Sequence, residues 1–117
     1  MRIKHENDGV VMGVLLIALA GCVAVPLPRE QLVVSQAIIN NAQHAGAGHY
    51  AAADLALARE KLIKAQAAVQ RRKYVEARRW AAEAEADAQL AQTKAAAAKG
   101  TQRVREMNEA NRTFGKE

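Results

Sequence analysis

Apolar positions fall into two regimes along this chain. Between Val10 and Leu19 they form one short run, and from Glu30 onward they return at steps of three and four. Those steps mark one face of a helix. Glu30 to Ala45 predicts a first helix, with Val34, Ile38, Ala42 and Ala45 on its inner face and Leu32 and Ile39 widening the stripe. Asn40, Asn41 and His44 fall towards the other side. Gly46-Ala47-Gly48 should then break the helix, because glycine accepts the backbone angles of a turn.

A second helix is expected from about Ala51 to Arg72. Leu55, Ala58, Leu62, Ala65 and Val69 give it a heptad seam. A third takes over near Tyr74 and runs to at least Lys99. Tyr74, Ala77, Ala81, Ala84, Ala88, Ala91 and Ala95 continue the alternation, so the Leu-bearing seam meets one made almost wholly of alanine. Small side chains let two helices approach to the short end of the usual spacing, about 8 Å. The short connection makes the pair an antiparallel hairpin with Tyr74 covering its tip. Asp54 and Glu60 in the earlier half of the second helix, and Arg71, Arg72 and Lys73 at its end, suit its dipole. Trp80, beside the seam, is expected to pack against the first helix. Leu57, Ile63 and Leu90 lie off the seam, which predicts self-association or a helical partner. Gly100-Thr101 should weaken the third helix, leaving a frayed tail from Arg103 to Glu117.

The early apolar run changes the picture of where this helical body works. Arg2 and Lys4 precede it, and at about ten residues it is too short to span a bilayer as a helix. Leu19-Ala20-Gly21-Cys22 follows, and Cys22 is the only cysteine. The motif resembles the bacterial lipobox. That resemblance implies cleavage before Cys22, with Leu19, Ala20 and Gly21 read by the signal peptidase. It also implies a thioether-linked diacylglycerol on Cys22 and a third acyl chain, such as palmitate, on the new amino terminus. Two or more chains anchor a protein stably. Val23, rather than Asp, after the cysteine points to the inner leaflet of the outer membrane, facing the periplasm. A single cysteine excludes an intrachain disulfide. The expected organisation is therefore a signal peptide over residues 1–21, a lipidated tether over 22–29, a helical domain over 30–99 and a polar tail over 100–117. Pro26 and Pro28 keep helix out of the tether. Its seven residues after Cys22 would reach about 23 Å.

Composition agrees with helix. The chain has 117 residues, 50% hydrophobic but only 3% aromatic, and a net charge of +5. Alanine buries little area at about 25 cal/mol per Å², so the core is expected to be thin.

The runs Gly46-Ala47-Gly48-His49-Tyr50-Ala51, Leu55 to Leu62, Tyr74 to Arg79 and Ala82 to Ala88 resemble a bacterial lipoprotein domain, domain of unknown function 4398. The resemblance covers roughly residues 31–98, on length and repeat period. Members of that family also occur ahead of OmpA-like peptidoglycan-binding domains, and no such domain is expected in this chain. Where the family often has Gly-Asp at the hairpin turn, this chain has Arg72-Lys73. The resemblance implies an all-α fold and carries no activity with it.

Little catalytic chemistry is legible. His44 and His49 flank the glycine turn with no cysteine beside them and read as surface histidines, so no metal is expected. Glu83, Glu85 and Asp87 alternate with alanine and read as a solvated face rather than an acid–base pair. No nucleophile motif and no phosphate-cradling glycine loop is present, so neither catalytic residues nor cofactors are expected. The sharpest feature is basic: Arg71, Arg72, Lys73, Arg78 and Arg79 cluster at the hairpin tip with only Glu76 among them. The simple reading is a solvated helix end; the alternative is a site for an anionic envelope polymer, peptidoglycan or lipopolysaccharide. Nucleic acid is not expected for an exported protein. The sequence thus predicts a non-enzymatic, membrane-anchored spacer or adaptor of the cell envelope, with an envelope protein or peptidoglycan as partner.

Overall fold

The computed structural model describes residues 24–116. The signal segment, Leu19-Ala20-Gly21 and Cys22 lie outside the described residues. Four helices follow one another: α1 over Arg29–His44, a single turn α2 over Ala47–Tyr50, α3 over Ala52–Gln70 and α4 over Tyr74–Phe114. The fold is all-α, and no strand occurs among the described residues. α3 and α4 form the antiparallel hairpin, and α1 lies along both, running parallel to α4.

The hairpin seam is the expected one. Ala77, Ala81, Ala84, Ala88, Ala91 and Ala95 are fully buried on α4, opposite Leu55, Ala58, Leu62 and Ala65 of α3. At the tip, Ala68 is buried in place of Val69, which is only half-buried. Ile39, Leu55 and Leu62 are the only large side chains among the buried hydrophobic residues described. The core is therefore thin, and its specificity comes from close backbone approach rather than bulk.

α1 buries most of the expected stripe but with its centre shifted from Val34 to Ser35. Ser35, Ile39 and Ala42 are buried, Leu32 and Ile38 pack at their edge, and Val34 is 47% exposed. The inner face is turned by less than one residue step, roughly 70°, from the Val34–Ile38–Ala42–Ala45 stripe towards Ser35 and Ile39. Small side chains at 35 and 42 bring α1 close to the alanine seam, where valine would hold it away. The buried Ser35 hydroxyl sits 2.8 Å from Glu85 Oε1, 2.8 Å from the Gln31 carbonyl and 3.2 Å from the Ala81 carbonyl. Its one proton therefore always has an acceptor.

Two turns set the topology. Gly46 adopts φ 97°, and its amide donates to the Gln43 carbonyl at 3.0 Å. A Cβ there would meet Lys99 Cε at 2.8 Å, the end of a flexible side chain that can move aside, so it is the positive φ that favours glycine. At the hairpin tip Arg72 takes the left-handed conformation with φ 58°. The Lys73 amide reaches the Ala68 carbonyl at 2.9 Å and the Arg72 amide reaches Val69 at 2.9 Å. This is a Schellman stop with arginine in the glycine position.

The C-terminal segment departs from expectation. α4 runs without interruption through Gly100 to Phe114, 41 residues, or about 62 Å. Good helix formers on both sides outweigh the roughly 1 kcal/mol that one glycine costs. Tyr50 donates to Gln102 Oε1 at 2.7 Å, and beyond that contact α4 projects alone, fully exposed.

Candidate functional site

Two surfaces stand out: the basic tip, and the outer side of α4. The tip is built where α3 ends and α4 begins, and the chain's first described residues fold onto it. Pro28 is buried, and the Pro26 carbonyl accepts a 3.1 Å hydrogen bond from Arg78 Nη2. Ala24 and Val25 line a shallow groove with Arg72, Lys73, Val75 and Arg79. The tether, expected to be short and non-helical, is held against the hairpin from residue 26 onward, because Arg78 captures it and Pro28 packs inward.

The predicted cluster is brought together, but its members differ. Arg78 is committed to Pro26. Arg79 stacks on Trp80, its guanidinium carbon 5.0 Å from the ring centroid, and Lys64 Nζ lies 4.9 Å from the same centroid. Trp80 is thus held between two cations, one from α3, with its Nε1 3.5 Å from Glu76 Oε1. These contacts are with α3 and α4, not with α1 as expected. Lys73 pairs with Glu76 at 3.7 Å. Arg71 and Arg72 are exposed and have no ion-pair partner among the described residues. Their charge suits the end of α3 but opposes the start of α4, so the dipole of one helix does not account for the whole cluster.

The acidic alternation on α4 is not a plain solvated face. Spacing of two turns Glu83 and Asp87 to one flank and Glu85 to the other. Lys61 of α3 bridges Asp87 at 2.7 Å and Glu83 at 3.4 Å, while Glu85 accepts from Ser35 of α1. The close contact with Asp87 raises the Lys61 pKa above its ordinary value, against the opposing effect of burial. Asp87 Oδ2 is buried and has no well-aligned hydrogen bond, so the 2.7 Å ion pair is what balances its charge. Further along, Lys94 pairs with Asp54 at 2.8 Å. These bridges clamp the hairpin register. His44 and His49 are exposed, and His49 meets the Tyr50 ring edge-on at 4.7 Å. No group of three potential metal ligands occurs among the described residues.

Of the second surface, only Leu90 stood out in the sequence. Ala86, Leu90, Thr93, Ala97, Gly100, Val104, Met107, Asn111 and Phe114 alternate strictly at four and three, and all nine are exposed. This is a second heptad stripe, on the side of α4 away from the alanine seam. Val104, Met107 and Phe114 are 57%, 65% and 76% exposed and lie on the projecting end. The signal was available in Leu90, Ala97 and Val104 at intervals of seven. It was hidden by two polar members and by the expectation that the helix ended near Lys99.

A family model described as a domain of unknown function (DUF4398) matches residues 30–107, which takes in the packed body and the first turn of the projecting end. No curated protein and no solved structure matches the chain.

Proposed function

The chain belongs to this family of unknown function, and from that premise we propose that it is a lipid-anchored, non-catalytic spacer and adaptor of the bacterial envelope. Cys22 carries the lipid, in the inner leaflet of the outer membrane, and the body faces the periplasm. The observation that carries the adaptor reading is the bare heptad stripe from Ala86 to Phe114. A helix with one filled seam and one empty seam is suited to receive another helix. A second copy of this chain is the first candidate. The test is sedimentation of the purified protein across concentrations, which should show reversible self-association that Met107→Glu abolishes. A stable monomer throughout leaves only a different helical protein as occupant. Separately, mass spectrometry should find a mature terminus at Cys22 with acyl chains, and Cys22→Ser should accumulate as precursor; a free Cys22 thiol in native protein sinks the lipid reading.

A second reading is supported by Arg71 and Arg72, which lack acidic partners among the described residues. In it the basic tip binds an anionic component of the envelope.

A further inference from the structure

The tip's position relative to the anchor decides what kind of anion it meets. Ala24 and Val25 lie in the groove beside Arg72, Lys73, Val75 and Arg79. Cys22 is two residues upstream of Ala24, so its Cα lies within about 7.6 Å of the Ala24 Cα. The tether cannot swing the tip away, because Arg78 holds the Pro26 carbonyl and Pro28 is buried. With lipid on Cys22, the hairpin would stand with its basic end at the membrane and its bare helix end, Phe114, furthest from it.

We propose that the tip, through Arg71, Arg72 and Lys73 with Val25 and Val75 beside them, docks on the anionic phospholipid headgroups of the bilayer that holds Cys22. This deepens the second reading above and rests on lipid attachment at Cys22. The Debye length at physiological salt is about 8 Å, so a short tether keeps the arginines inside the range where phosphate attraction is not screened away. Each basic residue held there strengthens binding about fivefold. Val25 and Val75 are exposed at the same end and can enter the headgroup boundary beneath the charges. A distant polymer would fit the opposite end of the molecule better, and that end carries no comparable basic cluster: Arg103, Arg105 and Arg112 are offset by Glu106 and Glu109. Docking also gives the body an orientation, since a rod fixed at its lipid and at its charged tip is held upright.

Trp80 is the only tryptophan and lies about 9 Å along α4 from Tyr74, so it reports on the tip. The experiment reconstitutes the native lipidated protein into vesicles of phosphatidylcholine alone or mixed with phosphatidylglycerol. It then measures acrylamide quenching of Trp80. Quenching should fall about twofold in the anionic vesicles and recover at high salt. Arg71→Gln, Arg72→Gln and Lys73→Gln combined, which spare the Arg79 stack, should quench alike in both. Equal quenching of the parent in the two vesicles overturns the proposal, as does protection that appears only when peptidoglycan fragments are added. Failure of the protein to reconstitute at all would instead overturn lipid attachment, which keeps the two failures apart.

Discussion

Arg72 shows how one residue can carry a cost that its surroundings absorb. A side chain held left-handed costs about 1 kcal/mol, and glycine would remove it. Arg72→Gly should raise stability by about that amount in urea unfolding. Its expected price is at the membrane, where one tip charge is lost. Ser35 is the opposite case, a buried polar group with ample acceptors. Ser35→Ala should destabilise by about 1 kcal/mol, and Ser35→Val by more, because the larger side chain pushes α1 off the seam. Lys61 gives a pH signature. Its pKa is raised in the folded state by the close contact with Asp87, so its contribution is full below its unfolded value of 10.5 and is lost as pH rises through the higher folded value. The stability gap between the parent and Lys61→Met should hold steady through neutral pH and narrow in strong alkali.

At the scale of elements, the hairpin was legible because alanine at three–four spacing has few other uses. The period fixes the face, and the residue size fixes the distance. Ala88→Leu should overpack the seam and cost about 1–3 kcal/mol or more, whereas Ala86→Leu on the outer stripe should leave the fold's stability almost unchanged. α1 was less legible, because Val34 and Ser35 are neighbours and hydropathy favours the wrong one. Only the tightness of an alanine-lined groove reverses that choice. The end of α4 was misread for a related reason. Gly100 looks like a stop, yet nothing lies within 4 Å of where its Cβ would be, and the helix passes through. Gly100→Ala should therefore add helix content in circular dichroism and about 1 kcal/mol of helix stability.

On the scale of the whole molecule, the described chain begins at Ala24 beside the basic tip at one end. The bare heptad stripe runs out at the other end. The sequence showed both charges and lipobox-like motif, but not that the tether folds back onto the tip. That depends on Arg78 finding the Pro26 carbonyl, a contact 52 residues apart in the chain. The projecting segment after Gln102 has no neighbour among the described residues, and a lone helix of that length is marginal in water. Its amides should exchange quickly in the isolated protein and become protected when the outer stripe is covered.

The adaptor reading stands or falls on which side of that projecting helix meets a partner. A photoactivatable crosslinker placed in intact cells at Met107, on the outer stripe, or at Glu109, off it, separates the two sides directly. The account predicts a discrete adduct from Met107, with the mass of two copies of this chain or of one other helical protein, and little or none from Glu109. No adduct from Met107, or the same adducts in the same yield from both positions, would contradict it.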